Sequence, residues 1–440
     1  GENCKMSKRD TLRQAFFALL LATIVHASKA DDVAVLSPMT QEYANLLNPM
    51  VDEQLIPGYY LSVYKNGQQV VDLSLGFADE EANLLPGQDV LYFIASMTKP
   101  IVSLATLKLV EQGQLNLTDP VKQFIPEFAN VLVVPEGDLD NATEELGRDI
   151  TIHDLLTHTS GLTYSQDITG REEIAKVYAD LGLFAIDGLA ESKLGSLADH
   201  VEQLVQLPLV FQPGEVFVYS VGIDVVGRVL EIVTGKPLDI AIAELVLKPL
   251  AMTDTHFTIP EAKRGRLAAM YSPRVATYPI PGVYRRYQPY QNLPKGHQNF
   301  GVSDAGYLSG GAGLVSTARD YAKLLAVMSN GFRVGQKQYL SPQIGNQLFR
   351  NQLPAVLEDE GLVYNFGPSA NKTGFSYGLG IRLIEDGNLT RSDDHDYYFW
   401  AGAANTGFWI DLKNDVYGIF MTQHLPTQYD RTAEMVEIAR

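Results

Sequence analysis

Hydrophobic and polar residues follow two periods along this chain, and each period predicts a different element. Residues 59–77 alternate with a period of two on both sides of Asn66-Gly67, which is a strong signal for a type I′ β-hairpin. Residues 96–112 are instead apolar nearly all round, which predicts a buried central helix that Gly113 ends. The early part of the chain therefore supplies a pair of strands and a core helix.

Strands are predicted near both ends of the chain, and helices mainly between them. The helical patterns cover residues 37–55, 151–158, 172–181, 197–206, 222–234, 238–247 and 317–329. The later strand patterns cover residues 377–385, 397–400, 406–412 and 415–422. This order predicts an α/β domain built from residues 31–160 and 301–440, with an antiparallel sheet flanked by helices. Residues 161–300 are predicted to form an inserted, mainly helical domain.

The first thirty residues have the pattern of a targeting segment. A basic stretch precedes an apolar run from Ala15 to Val25, which is too short to span a bilayer but suits the core of a signal peptide. Small residues then allow cleavage after Ala30, or alternatively after Ala27. This leader predicts a periplasmic or secreted protein, and a frayed amphipathic helix is the alternative interpretation.

Charge and composition exclude several functions. The 52 acidic residues outnumber the 34 basic ones, and the formal net charge is −18, so nucleic acids and anionic membranes would be repelled. The only cysteine, Cys4, precedes the apolar run, so a cleaved chain has no disulfide and no thiol ligand. The histidines lack metal-ligand spacing. We therefore expect no metal, no cofactor, no nucleic acid and no obligate protein partner.

A serine followed three residues later by a lysine occurs three times. On a helix this spacing places the amine beside the hydroxyl, whereas on a strand the two side chains point to opposite faces. Ser62 and Lys65 lie on the predicted hairpin strand, and Ser369 and Lys372 lie in a loop. Ser96–Lys99 alone opens a helix, so this pair is the candidate nucleophile and its activating amine.

A lysine near Ser96 needs help to act as a base. Unperturbed lysine and tyrosine have pKa values near 10, so a base at neutral pH requires a shift of roughly three units, or about 4 kcal/mol. Burial and a neighbouring phenol can provide it. The segment 212–238 offers Tyr219 as that phenol, and the choice of this tyrosine depends on the resemblance described next.

At this point the chain resembles the serine β-lactamase-like superfamily. It is most similar to the class C β-lactamases, the D-Ala-D-Ala carboxypeptidases and the family VIII carboxylesterases. The motifs that carry the resemblance are FIASMTKP at 93–100, LLTHTSGL at 155–162, Pro213-Gly214, Tyr219-Ser220-Val221, Val226-Gly227-Arg228, GGAGLVSTARDYAKLL at 310–325, WAGAANTGFWID at 400–411 and MTQ at 421–423. Their order covers most of residues 35–425 and implies the class C β-lactamase-like fold, with the active site between sheet and insert.

The resemblance also implies roles. Ser96 would be the nucleophile, and Lys99 and Tyr219 would share the duties of base and acid. The backbone amides of Ser96 and Ala403 would form the oxyanion hole. His158, in LLTHTSGL, would end a helix without taking part in the chemistry.

The substrate prediction comes from two departures from that family. Trp400-Ala401-Gly402 occupies the position where penicillin-recognising members carry Lys-Thr-Gly, and the cation that grips a carboxylate is therefore absent there. Val221 replaces an asparagine that binds an acylamino group, next to Ser220. Each lost charged hydrogen bond is typically worth about 1.5–3 kcal/mol. We therefore predict that residues 220–221 and 400–402 contact a small neutral ester.

The segment NKTGFSYG at 371–378 contains two further signatures. Lys372-Thr373-Gly374 precedes the FSYGLGIRL strand, whereas the family places this triplet after it. Ser376 fits the Gly-x-Ser-x-Gly elbow of α/β-hydrolases, but a helix must follow such a serine, and the sequence after it is strand-like. Both are predicted to be chance matches, and Ser376 remains the alternative nucleophile.

Several functions stay open beside a carboxylesterase. A β-lactamase, a D-Ala-D-Ala carboxypeptidase or D-aminopeptidase, and an acyltransferase would use the same three side chains. A non-catalytic binding protein is a different class, and its marker would be a missing serine, lysine or tyrosine. None of the three is missing here.

Overall fold

The computed structural model describes residues 36–134, 139, 143–183, 194–273, 290–292, 307–354, 357, 363–364, 376–384, 397–425, 427 and 430–440. The predicted leader and the Lys-Thr-Gly triplet at 372–374 lie outside these residues. So does the Ser369–Lys372 pair.

The helices and strands of the described residues follow the predicted order. The helices are α1 Pro38–Asp52, α2 Thr98–Glu111, α3 Ile152–Leu156, α4 Glu172–Asp180, α5 Leu197–Leu204, α6 Gly222–Thr234, α7 Leu238–Ile242, α8 Ala318–Ser329, α9 Pro342–Gly345 and α10 Thr432–Ala439. The strands are β1 Gly58–Lys65, β2 Gln68–Gly76, β3 Tyr92–Phe93, β4 Phe217–Val218, β5 Tyr271–Pro273, β6 Tyr290–Asn292, β7 Val315–Ser316, β8 Arg333–Val334, β9 Lys337–Gln338, β10 Val363–Tyr364, β11 Ser376–Tyr377, β12 Arg382–Ile384, β13 Tyr397–Gly402, β14 Thr406–Asp411 and β15 Val416–Met421. Short 3-10 helices occur at Ala95–Met97, Val121–Gln123, Pro126–Asn130, Glu261–Arg266 and Asn346–Phe349.

Both chain ends build the central sheet, as predicted. Its seven strands have the order β11-β12-β13-β14-β15-β1-β2, and every neighbouring pair is antiparallel. The β1–β2 hairpin turns at Asn66-Gly67, whose φ values of 52° and 72° are those of a type I′ turn. The pairing of β1 with β15 joins the two ends, and the prediction of an antiparallel sheet from both ends is confirmed.

Helices cover both faces of this sheet because its strands alternate with a period of two. Tyr59 and Leu61 of β1 pack with helices α1 and α10 on one face. Tyr60 points to the opposite face and joins the larger core, which also contains Tyr321 of α8 and residues of α2. The same alternation places Ser62 and Lys65 on opposite faces, as predicted. Ser62 is buried, whereas the Lys65 amine reaches the last turn of α10 on the face that carries this helix.

Helix α6 organises the region between the two groups of strands. It is apolar along most of its length and contacts α2, α3, α5 and α7. The larger hydrophobic core is continuous: it contains side chains of these helices, of α2 and of the sheet. The division into two domains with the limits given above stays a prediction.

Two local predictions need correction, and a third, the helix at 238–247, is confirmed with a change of helical geometry. The central helix begins at Thr98, and Ser96 lies in the 3-10 turn before it. The strand predicted at 377–385 is split into β11 and β12 by a turn that contains Gly380. The helix predicted at 238–247 changes from α to π geometry at Ala243.

Candidate active site

The turn that carries Ser96 joins strand β3 to helix α2. Ala95 adopts a φ of +43°, a conformation that costs a residue with a Cβ on the order of 1 kcal/mol. Gln423 holds the preceding strand in place, since its side-chain oxygen accepts from the Phe93 amide at 2.9 Å and its nitrogen donates to the Phe93 carbonyl at 3.0 Å. Ser96 is 9% exposed, so the turn presents its hydroxyl at the edge of the core.

Lys99 lies in the first turn of α2 and is fully buried. Its Nζ donates hydrogen bonds to three oxygens: Ser96 Oγ at 3.2 Å, Tyr164 OH at 3.2 Å and Gly311 O at 2.9 Å. They match the three donors of an ammonium group. Burial lowers the pKa of Lys99 to about 7, although the negative charge of Asp224 opposes this shift. An amine with such a pKa can release and accept a proton at neutral pH.

Tyr219 reaches the same serine from the segment before α6. Its hydroxyl donates to Ser96 Oγ at 2.8 Å, and its ring centroid lies 4.7 Å from Lys99 Nζ. Burial raises the pKa of the Tyr219 phenol above its ordinary value, and the hydrogen bond with Ser96 offsets only part of this effect. The phenol therefore keeps its proton at neutral pH. The structure brings the three side chains singled out in the sequence to one point.

His158 holds the backbone on both sides of Tyr219. Its carbonyl accepts from the Val218 amide at 2.8 Å, and its Nδ1 accepts from the Ser220 amide at 3.1 Å. Because Nδ1 is an acceptor, the neutral ring carries its proton on Nε2. Burial lowers the pKa of His158 well below the usual range, so the ring is neutral. These contacts agree with the structural role expected for this residue.

Strand β13 closes another side of the site. The Trp400 ring lies 5.6 Å from the Tyr219 ring, and its interaction with the Tyr219 hydroxyl favours the phenolate and offsets part of the effect of burial. Gly402 lies so close to the turn before Ser96 that a Cβ there would approach the Ile94 carbonyl oxygen to 2.3 Å. Strand β13 and the Ser96 turn are thus packed backbone against backbone.

The other residues predicted to contact substrate differ in exposure. Ala401 is partly exposed, and Ala403 is exposed in the turn between β13 and β14. Ser220 and Val221 are fully buried, and the Ser220 hydroxyl lies 3.2 Å from His158 Nδ1. Ser220 and Val221 therefore contact the core. The oxyanion role of Ala403 and the substrate contacts of Ala401, Ser220 and Val221 stay predictions.

Comparison with known proteins places this geometry in a family. The β-lactamase family model matches residues 43–439. The chain belongs to the β-lactamase family. The esterase EstB of Burkholderia gladioli is 34% identical over 371 residues, which are 82% of this chain and 84% of that protein. The predicted superfamily is confirmed, and the chain is a serine hydrolase of the esterase or acyltransferase kind.

Two solved structures share the fold of the chain. The chain and EstCE1, described as a hydrolase with promiscuous acyltransferase activity, superpose with a TM-score of 0.69 at 24% identity, over 88% of this chain and 94% of that one. A mutant of simvastatin synthase from Aspergillus terreus gives a TM-score of 0.71 at 21% identity, over 93% and 97% of the two chains. These likenesses confirm the predicted class C β-lactamase-like fold.

Sequence reasoning missed three groups that contact Lys99 or its surroundings. Tyr164 lies outside the motifs named in the sequence, yet its hydroxyl accepts a hydrogen bond from the Lys99 amine. Gly311 accepts a second one through its carbonyl. Asp224 lies buried behind Gly311, whose amide donates to its Oδ1 at 3.1 Å. The GGAG motif indicated the Gly311 loop. Nothing in the neighbouring sequence indicated that Tyr164 contacts Lys99 or that Asp224 contacts the Gly311 loop.

Ser376 has none of the setting of a nucleophile elbow. It begins strand β11, which pairs with β12 in the antiparallel sheet, and no helix follows it before that strand. The described residues contain no group of three or more histidine, cysteine, aspartate or glutamate side chains placed to bind a metal. Within the same residues, no helix has the length and apolar character that crossing a membrane requires.

Proposed function

We propose that this β-lactamase-family chain is a serine carboxylesterase that cleaves short-chain esters through an acyl-enzyme on Ser96. The observation that carries the proposal is the convergence of two proton-carrying groups on one serine hydroxyl. Tyr219 OH lies 2.8 Å and Lys99 Nζ lies 3.2 Å from Ser96 Oγ. Both distances allow direct proton transfer to or from the serine.

The opposite pKa shifts of the two groups support different roles. Lys99, with a pKa of about 7, is the base that takes the Ser96 proton as the oxygen attacks the ester carbonyl. Tyr219 keeps its proton because burial raises its pKa, so it donates that proton to the departing alkoxide. The Lys99 ammonium then returns a proton to the tyrosine oxygen through a solvent molecule, because the acylated Ser96 oxygen carries no proton. Water repeats the sequence in the second half-reaction, releasing the acid and restoring Ser96.

The surroundings of Ser96 favour a neutral ester over a carboxylate-bearing substrate. Trp400 stands where a lysine would bind a carboxylate, and it offers an apolar face with one N–H donor. The Val221 side chain has no polar atom to receive an acylamino group. The names of relatives agree, since EstB and the lovastatin esterase of Penicillium rubens are esterases.

Acyl transfer to an alcohol is the second candidate. It needs the same acyl-enzyme, with an alcohol in place of water as the second nucleophile. The name of EstCE1 includes promiscuous acyltransferase activity, and a Penicillium decumbens relative of 26% identity is named an acyltransferase. Product analysis with p-nitrophenyl butyrate and added short alcohols distinguishes the two outcomes, because transfer yields butyrate esters at the expense of butyric acid.

A fluorophosphonate probe tests the proposed nucleophile. We expect the label on the peptide that contains Ser96, and we expect Ser96→Ala to abolish both labelling and hydrolysis of p-nitrophenyl butyrate. Ser376→Ala is the matched control and should behave as the unmodified protein does. A label on Ser376, or nitrocefin turnover that exceeds ester turnover, would overturn the proposal.

A further inference from the structure

Asp224 is a buried carboxylate that touches neither Ser96 nor substrate in the proposed reaction. It lies in the first turn of α6 and is fully buried. Such a group is strongly destabilising unless hydrogen bonds or an opposite charge compensate it. Its Oδ1 accepts from Ser309 Oγ at 2.6 Å and from the Gly311 amide at 3.1 Å. Its Oδ2 has no partner among the described residues, so hydrogen bonding explains only one oxygen.

The loop that Asp224 holds is the loop that holds Lys99. The amide of Gly311 donates to Asp224, and the carbonyl of the same residue accepts from Lys99 Nζ at 2.9 Å. A Cβ on Gly311 would lie 2.5 Å from Asp224 Oδ2, so the carboxylate packs against a residue that must lack a side chain. Ser309 Oγ closes the loop by accepting from the Ala312 amide at 2.9 Å. A single glycine therefore links the carboxylate to the amine.

The charge on Asp224 also acts on Lys99. The titratable groups that face Lys99 are the phenols of Tyr164 and Tyr219, the neutral His158 ring and the Asp224 carboxylate. Burial raises the pKa of the Asp224 carboxyl, whereas the Ser309 hydroxyl, the Lys99 amine and the Gly311 amide lower it and favour its anion. Its attraction for the ammonium raises the pKa of Lys99 and opposes the effect of burial.

We propose that Asp224 is a positioning residue that aims the Lys99 amine through Gly311 and stabilises the ammonium that forms when Lys99 takes a proton. This inference rests on the proposed function, in which Lys99 is the base for Ser96. Tyr219 precedes Asp224 on the same segment, so the carboxylate also ties the entry of α6 to the loop opposite Lys99. The unpartnered Oδ2 is thereby explained by a charge interaction with the buried amine.

Asp224→Asn separates charge from shape. The asparagine oxygen can still accept from Ser309 and Gly311, but the negative charge is gone. The Lys99 ammonium is then less stable, so Lys99 becomes neutral at a lower pH and is a weaker base. We expect kcat for p-nitrophenyl butyrate to fall at least about tenfold, and the acid limb of the pH profile of kcat/KM to move down by about one pH unit. A purely structural carboxylate would lower the rate without moving the limb.

Asp320→Asn is the matched control. Asp320 is also buried, and its carboxylate accepts hydrogen bonds from the Asp254 amide at 2.6 Å and from the Thr255 hydroxyl at 3.1 Å. We expect it to lower the melting temperature without shifting the pH profile. An Asp224→Asn profile that coincides with that of the unmodified protein overturns the inference.

Two further variants keep the test decisive. If Asp224→Asn does not fold, Ser309→Ala removes one donor to the carboxylate and should lower kcat in the same direction by a smaller factor. A Ser309→Ala enzyme with unchanged kcat and pH profile would count against the inference. Failure of the proposed function itself has a different signature, because Lys99→Ala would then retain the turnover of the unmodified enzyme.

Discussion

A lysine with no access to water keeps its proton only at a high free-energy cost, and Lys99 is fully buried. Its pKa of about 7 is the result of two opposed effects, burial and the attraction of Asp224. The neighbouring phenol is affected in the other direction, because burial disfavours its anion and raises its pKa. Burial therefore leaves part of the Lys99 amine neutral near pH 7 and able to accept a proton, and it keeps the Tyr219 phenol protonated and able to donate one.

The pH dependence of catalysis follows from the Lys99 shift. Lys99 accepts the Ser96 proton only when it is neutral, and a pKa of about 7 leaves it protonated below that pH. We expect kcat/KM for p-nitrophenyl butyrate to rise with pH through about 7 and then level off. Lys99→Arg, which cannot lose its proton near neutrality, should be inactive across the range. A kcat/KM that stays constant over about three pH units centred near pH 7 would contradict this assignment.

Removing the Tyr219 hydroxyl tests the proposed acid. Tyr219→Phe keeps the ring that packs beside Lys99 and loses the proton directed at Ser96 Oγ. We expect kcat to fall by about 10²- to 10⁴-fold, measured by steady-state hydrolysis of p-nitrophenyl butyrate. Tyr43→Phe is the control, since the buried Tyr43 hydroxyl donates to the Met435 carbonyl on the far face of the sheet. It should leave kcat unchanged.

At the scale of elements, the site depends on how strand β13 packs against the Ser96 turn. Two glycines of the β13–β14 hairpin differ sharply in the room around them. A Cβ on Gly402 would lie 2.3 Å from the Ile94 carbonyl oxygen, whereas a Cβ on Gly407 would meet nothing closer than 3.8 Å. The close approach at Gly402 leaves no space for any side chain.

Gly402→Ala should therefore push β13 away from the turn that carries Ser96. We expect a loss of activity together with a lower melting temperature, because backbone atoms on both sides must move. Gly407→Ala in the same hairpin is the control and should retain both properties. Activity and a fluorophosphonate labelling rate of Gly402→Ala equal to those of the unmodified protein would show that the packing at this strand does not position Ser96.

At the scale of the whole molecule, the two chain ends stabilise each other. Strand β1 pairs with β15, and helix α1 packs against α10 on the same face of the sheet. The Tyr43 hydroxyl donates to the Met435 carbonyl at 2.7 Å and links the two helices. The sheet that supports Ser96 and Trp400 thus depends on contacts between residues far apart in the sequence.

Met435→Ala tests that dependence. Met435 is 3% exposed, and its truncation should lower the free energy of unfolding by about 2–5 kcal/mol, seen as a lower midpoint in urea. Glu437→Ala on the exposed side of α10 should change the free energy of unfolding by no more than about 0.5 kcal/mol. Equal midpoints for the two variants would mean that α10 contributes little to the stability of the sheet.

Several parts of the structure were determined by the sequence alone, because they depend on neighbouring residues. Asn66-Gly67 sets the hairpin through two left-handed residues. Helix α6 has its predicted limits, since an apolar pattern and a terminal glycine define it locally. The Ser96–Lys99 spacing predicted a shared environment for hydroxyl and amine, although the serine lies in a 3-10 turn before the helix. In each case a few adjacent residues carry the physical cause.

Only the tertiary structure decided what surrounds Lys99. Tyr164 and Asp224 belong to segments whose local patterns read as loop and helix, and no spacing relates them to residue 99. Burial, which sets the pKa values of Lys99 and Tyr219, likewise arises from the packing of the whole chain. Local patterns specify elements because hydrogen bonding and periodicity act over a few residues. The site chemistry depends on the exclusion of water and on charges brought together from distant segments, and folding alone creates both.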